Sequence, residues 1–392
     1  MASIRILGCW AAACLASAAC GAERLVWFGT YTGPRTGATG ISVARFDDAT
    51  GRMSVPELAA EAVNPSFLAL HPALPMLYAV AELADEAGAR GGAVQAFAID
   101  RTTGRLTPRN LRPSGGAGPC HVSIDAAGRV ALVANYGGGS VACLGLRGDG
   151  DLEPVAAGRP GGLLEHVYDR RPDEGFDPRR QKKPHGHSID PTPDGRFAIV
   201  CDLGLDKVFV HALDRERATL TPHASAAMRA GAGPRHFALH PDGRFGYCVN
   251  ELDLTVTAFA FDPQAGGLTI LHTLPTLPDT VIERGGFSAA EIAVHPTGRF
   301  VYASTRGHDS ITTFAVDAAT GRLTFLNAEP ARVRKPRHFA IAPGGRFLLA
   351  AGQDSGTVAI FALDAKTGRL AFTDRTIPVP GCVCICFQHR GG

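Results

Sequence analysis

Apolar and polar positions alternate along most of this chain in short runs, and the runs repeat. Segments such as Val256-Thr257-Ala258-Phe259-Ala260-Phe261 put alternate side chains on one face, the period-two pattern of a strand. Asp-x-x-x-Gly turns fold these runs into hairpins. Asp47, Asp100, Asp214, Asp262, Asp317 and Asp364 each precede an apolar residue by six positions: Met53, Leu106, Leu220, Leu268, Leu323 and Leu370. A degenerate seventh hairpin runs from Val141 to Leu152.

Most hairpins follow a second unit: an apolar run, a turn such as Pro241-Asp242-Gly243, Arg-Phe or a variant, and another apolar run. The clearest copy spans Pro234 to Leu268. Related copies centre on Gly128-Arg129, Gly195-Arg196, Gly298-Arg299 and Gly345-Arg346, with a worn one at His71-Pro72. Self-similarity at roughly 40–50 residues with several short strands per unit predicts a β-propeller. Seven hairpins match only six leading strands. The unpaired hairpin is the first, Trp27 to Leu58, and the chain closes on a lone strand, Cys382 to Phe387. Lending that strand to the first blade as its innermost strand removes an open sheet edge. The expected fold is therefore all-β: a seven-bladed β-propeller of four-stranded antiparallel blades, closed by the C-terminal strand joining the N-terminal blade. An open array of β-sandwich units is the alternative, but nothing in the sequence caps one.

The chain has 392 residues, more than an ordinary single domain, yet no linker or shift of composition divides it. One closed ring over residues 23–392 accounts for that length. Net charge is +2, and Lys and Arg are spread through the repeats with no basic stripe, so nucleic acid is not expected as a partner. Arg5, the apolar run Ile6 to Ala19 and the small residues up to Ala22 predict a secretory leader over 1–22, too short for a stable membrane span. It implies a periplasmic or secreted protein, cytoplasmic if the leader is unused; an apolar N-terminal strand is the plainer alternative. Cys20 is a weak candidate for lipidation, because the usual aliphatic residue three places earlier is missing. Without the leader seven cysteines remain, an odd number scattered over different blades and not a disulfide framework. Alternation in Cys382-Val383-Cys384-Ile385-Cys386 places all three thiols on one face, as buried small hydrophobes or as a soft-metal site.

Candidate chemistry gathers on one rim. Strands one and two of a blade are antiparallel, so the Pro-Asp-Gly turns share one rim, and residues entering strand one or leaving strand two share the other. Entries there are Cys120-His121, His185-Gly186-His187, Arg235-His236, Glu291 and Arg337-His338; exits are Glu82, Tyr136, Glu251, Arg306 and Gln353. Histidines, arginines and carboxylates thus meet at one mouth of the central channel, on loops carried by a rigid scaffold. His121, His236 and His338 recur at equivalent positions, which suits structural histidines. Glu251, Arg306 and His187 break the repeat and carry more information. His187 aligns with Arg235 or with His236, depending on how residues 190–194 are spaced. On the opposite rim His71, His240 and His295, each before Pro, read as structural. A charged insertion, 165–183, feeds into the mouth; long loops of that kind are lids or disordered.

Several of these motifs resemble a known family. Arg180-Gln181-Lys182-Lys183-Pro184-His185-Gly186-His187, Gly233-Pro234-Arg235-His236, Val249-Asn250-Glu251-Leu252 and Ser304-Thr305-Arg306-Gly307-His308-Asp309-Ser310-Ile311, with Gly29-Thr30-Tyr31-Thr32, resemble the seven-bladed propeller lactonases. That family includes bacterial 6-phosphogluconolactonases and fungal carboxymuconate cyclases, and the resemblance covers nearly the whole mature chain. It implies a site of Arg235, Glu251, His187 or His185, and Arg306 acting on a small lactone. Lactone hydrolysis needs an activated water and a stabilised oxyanion. His187 or His185 is the expected base, with Glu251 orienting it or serving as base itself. Arg235, Arg306 and Arg337 supply positive charge to an oxyanion, carboxylate or phosphate. His236, His338 and Tyr136 complete the expected substrate-binding set.

The same residues suit ring closure by a carboxymuconate-type cycloisomerase, or a non-catalytic secreted propeller that binds an anion. A phosphorylated sugar lactone is an intracellular metabolite, and Cys120 stands where two blades have arginine, so a non-phosphorylated lactone stays open. No Gly-x-Ser-x-Gly elbow, His-Glu-x-x-His pair or calcium loop is present, so neither a serine nucleophile, a metal nor another cofactor is expected. The oligomeric state is left open.

Overall fold

The computed structural model describes residues 23–83, 91–155, 161–169, 175–281 and 285–389. The expected leader over 1–22 and residues 170–174 of the insertion lie outside the described residues. Twenty-eight strands, numbered in chain order, form seven four-stranded antiparallel sheets, with no helix among the described residues. The first sheet joins β1 (Glu23–Thr30), β2 (Gly40–Asp47) and β3 (Glu57–Glu61) to β28 (Cys382–Phe387), in the order β28-β1-β2-β3. Trp27 pairs with Cys386 and Phe28 with Ile385. Each of the other blades is four consecutive strands, so the ring closes as the repeat count requires.

Hairpin chemistry explains the repeat. Asp100 Oδ1 accepts the N–H groups of Thr102 and Thr103 at 2.8 and 2.9 Å, and Gly104 N–H returns to the Asp100 carbonyl at 2.7 Å. The glycine carbonyl then serves the preceding blade. Trp27 Nε1 donates to Gly104 at 2.9 Å, and the Tyr78, Tyr247 and Tyr302 hydroxyls donate to Gly150, Gly321 and Gly368 at 2.7, 3.1 and 2.9 Å.

The Pro-Asp-Gly turns work the same way. Gly128, Gly298 and Gly345 have φ of 67–74°, the left-handed region that favours glycine. Their carbonyls lie 3.2, 2.9 and 2.8 Å from Nε2 of His71, His240 and His295 in the preceding blade. These histidines therefore tie blade to blade. A His295→Ala variant is expected to lose about 1–2 kcal/mol of stability in urea unfolding, with ligand affinity at the opposite rim unchanged.

There is no single core. Buried apolar side chains form seven clusters, one at each blade interface. Phe46 of the first blade, for example, meets Phe347 of the last edge-on at 5.7 Å. Inner strands are covered on both faces, so β9 (Val130–Asn135) and β17 (Phe245–Asn250) are buried throughout.

Two details differ from the sequence pattern. Leu152 opens no strand: it makes one bridge to Leu146, and the outer strand of the third blade is β11 (Leu163–Glu165). Three residues carry too little alternation to be read, and Glu165 belongs to this strand. The three clasp thiols do not share a face. Cys384 pairs with Gly29 and Cys382 with the next residue, Thr30, because Val383 bulges out of the ladder. Cys382 therefore packs between the last and first blades, and Cys384 between the first and second.

Candidate active site

The same bulge builds the mouth of the channel. Register shifts fall between Pro119 and His121, Gly186 and Ser188, Pro234 and His236, and Pro336 and His338. The extra residue of each pair, Cys120, His187, Arg235 or Arg337, is left out of the ladder and lines one cavity, together with Val383. The register of His187 is thereby settled: it matches Arg235, and Ser188 matches His236. Leu203 N–H bonds the His185 carbonyl as Glu251 N–H bonds that of Gly233.

Glu251 is the hub. Arg180 Nη2 donates to its Oε1 at 2.7 Å, Arg235 Nε donates to Oε2 at 3.0 Å, and Arg306 Nη2 lies 3.0 Å from Oε2. Burial opposes ionisation, but Arg306, Arg235 and Arg180 outweigh it and hold the carboxyl well below the usual range. Arg235 also bonds the Ala290 carbonyl and Arg306 that of Ala289. Arg337 differs: it lies over the Tyr31 ring at 5.3 Å and makes no hydrogen bond or ion pair among the described residues. Glu82 accepts from the Tyr31 and Ser66 hydroxyls. Four guanidinium groups, of Arg180, Arg235, Arg306 and Arg337, face three carboxylates here, Glu82, Glu251 and Glu291, so positive charge is in excess. The cavity itself is narrow, ≈ 10 Å³, room for about one water.

The histidines separate by their bonds. His236 Nε2 accepts from Arg235 at 3.2 Å, and Nδ1 donates to Glu291 at 3.1 Å, so both nitrogens are committed. His338 Nδ1 accepts Ile385 N–H at 3.3 Å, and its Nε2 lies 3.4 Å from Glu291. His185 stacks on Tyr136 at 4.3 Å and donates Nδ1–H to the Tyr136 carbonyl at 2.8 Å. His187 has no short bond: Nδ1 is 3.8 Å from Cys120 Sγ and Nε2 is 3.9 Å from Glu251 Oε2. Burial first, and then Arg235 and His236, push the His187 pKa well below the ordinary histidine value. It is neutral at pH 7.

The model of one family, the seven-bladed β-propeller lactonases, matches residues 25–387. The chain belongs to that family. It is 34% identical to a 6-phosphogluconolactonase of Bacillus subtilis over 365 residues, covering 93% of this chain and 98% of the relative. A periplasmic gluconolactonase of Pseudomonas aeruginosa superposes with a TM-score of 0.84 at 33% identity, covering 94% of this chain and 99% of that one. A crystal structure of a putative 6-phosphogluconolactonase from Bacteroides uniformis gives 0.83 at 33% identity, covering 93% and 99%.

In this member of the lactonase family His187, Arg235, His236, Arg337 and His338 line one cavity, and Glu251 and Arg306 are bonded at its wall. Tyr136 and His185 form a pair beside it. Sequence reasoning gave no role to Arg180, to Tyr31, or to Ser66 and Phe67, which also line the cavity. Tyr31 and Glu82 occupy the strand-exit position of Glu251 in the first two blades, a signal that repeat alignment carries. Arg180 has no repeat equivalent.

Replacing Glu251 by Gln leaves three guanidinium groups without their anion and is expected to cost about 3 kcal/mol or more at pH 7. The depressed pKa sets the sign of the pH effect. Ionised Glu251 stabilises the fold above the unfolded carboxyl value of about 4.3, and this contribution is lost as pH falls toward the folded value. The gap between wild type and variant in urea unfolding should therefore narrow below about pH 4.

Proposed function

We propose that this protein hydrolyses the lactone ring of a sugar acid, with His187 as general base. The observation that carries this reading is the imidazole of His187: among the histidines that line the cavity, it is the one in which both ring nitrogens lack a partner nearer than 3.8 Å. His187 takes a proton from water as the water oxygen attacks the lactone carbonyl. Arg337, which has no anion of its own, faces the oxyanion that forms on the carbonyl oxygen. Collapse breaks the bond from acyl carbon to ring oxygen. The ring oxygen leaves as a hydroxyl, taking the proton back from His187, and the product is the open hydroxy acid. Glu251 is too weak a base in this setting; its part is to hold Arg235 and Arg306 in place.

The names of the relatives support lactone hydrolysis, and the positive excess at the mouth suits a ring bearing or developing negative charge. Export to the periplasm is part of the reading. It rests on the leader expected over 1–22 and on the periplasmic gluconolactonase among the similar structures.

A pH-indicator assay on purified leaderless protein tests the proposal, with glucono-δ-lactone and 6-phosphogluconolactone as substrates, with and without chelator. Acid release that resists chelation supports it. Silence on both lactones, or loss of activity with the chelator, overturns it.

A further inference from the structure

We propose that Arg180 is the specificity-determining residue of this mouth: it binds an anionic substituent of the ligand remote from the lactone carbonyl. The inference rests on the lactonase reading above and adds a residue that only the inserted segment supplies. Arg180 spends one nitrogen on the protein. Nη2 donates to Tyr136 Oη at 3.0 Å and to Glu251 Oε1 at 2.7 Å, while Nη1 and Nε make no hydrogen bond among the described residues. Three of the five N–H donors of a guanidinium are thus open to a ligand.

Position and rigidity agree with that use. The Arg180 side chain is 38% exposed, against 3% for Arg235 and 10% for Arg306, so it is the cation of the Glu251 cluster that an incoming ligand meets first. Its backbone is fixed by the next residue. Gln181 is fully buried, accepts Asp177 N–H at 2.9 Å, and donates to the Leu203 carbonyl and Asp206 Oδ1 at 2.7 and 2.8 Å. Gly204 lets the end of the segment pass close by, because a Cβ there would run into the Lys183 carbonyl. Glu251 and Tyr136 then hold the guanidinium in one orientation, so an arriving anion finds donors already placed. The cavity lined by His187, Arg235 and Arg337 holds about one water, so the bulk of a sugar acid stays outside it, on the exposed side of the Glu251 cluster that Arg180 occupies.

Phosphate and carboxylate share the chemistry that would satisfy Arg180, and titration calorimetry can tell them apart. Probes are gluconate, 6-phosphogluconate, glucarate and inorganic phosphate, titrated into wild type, Arg180→Met and Arg180→Lys. Arg180→Met should weaken 6-phosphogluconate, glucarate or both by about 30-fold relative to gluconate. Arg180→Lys should recover part of that preference, and the ratio of kcat/KM for phosphorylated over neutral lactone should fall in parallel. Whichever of these two acids loses affinity identifies the substituent, and binding of inorganic phosphate that depends on Arg180 marks the phosphate case. Equal losses for all the acids would make Arg180 a mere support of Glu251 and overturn the proposal, as would no loss at all. A wild type that binds none of the acids sinks the lactonase reading itself, and this proposal with it.

Discussion

A His187→Asn variant is expected to lose about 10²–10⁴ in kcat while its affinity for the product acid changes by less than about threefold. Asn keeps a polar side chain of similar reach but cannot take a proton. The pH profile of the wild type provides a second check. Burial and Arg235 push the His187 pKa down, so the base stays unprotonated below the range in which an ordinary histidine titrates. The acid limb of kcat/KM should therefore lie well below pH 6.5, and it should vanish from the residual activity of the variant. A variant with full activity, or an acid limb at the ordinary histidine value, would remove His187 from the role of base. His185 is the next candidate, since its Nδ1–H is tied to the Tyr136 carbonyl and its Nε2 carries the lone pair.

Ending the chain at Gly381 should abolish folding of the ring. The deletion removes β28, of which Cys382, Val383, Cys384, Ile385 and Phe387 are buried. At about 1.5–3 kcal/mol for each large apolar side chain, the loss is on the order of 10 kcal/mol, comparable to the whole net stability of a typical domain, about 5–15 kcal/mol. It also exposes the inner edge of β1 and opens two of the seven interface clusters at once. Trp27 is the sole tryptophan outside the expected leader, and it pairs with Cys386, so its fluorescence reports this blade directly. The truncated protein should show solvent-exposed Trp27 emission and no cooperative transition in urea. A peptide of residues 382–389 added in trans should restore both. Cooperative unfolding of the truncated chain alone would mean that the five remaining interfaces suffice.

Much of this fold could be read from the chain because its turns are chemically demanding. An Asp that accepts two backbone N–H groups closes six of the hairpins, five of them with a Gly at positive φ and one with Ala218, and the degenerate hairpin from Val141 to Leu152 brings the count to seven. The edge strand β11 escaped because it is held by one neighbour over three residues and needs no alternation of its own. At the site, Glu251, Arg306 and His187 stood out by breaking the repeat. The register of His187 was also present, since Gly195-Arg196 lies eight residues after it as Gly243-Arg244 lies eight after Arg235. What hid it was the bulge, which leaves no mark in a run flanked by apolar residues. Arg180 was hidden for a different reason. It reaches Glu251 from a segment outside the repeat, and contact between residues 71 positions apart has no local signature.

The bulge also bears on how such proteins diverge. A residue outside the ladder carries no obligation to the interface clusters, so its identity can drift without repacking a blade. The position holds four residue types over five blades, in Cys120, His187, Arg235, Ala290 and Arg337, while the strands around them pair alike. The mouth therefore behaves as a short word spelled one letter per blade on a scaffold indifferent to the spelling. Substrate range can shift by single substitutions, and a blade transplanted from a relative would bring its letter with it.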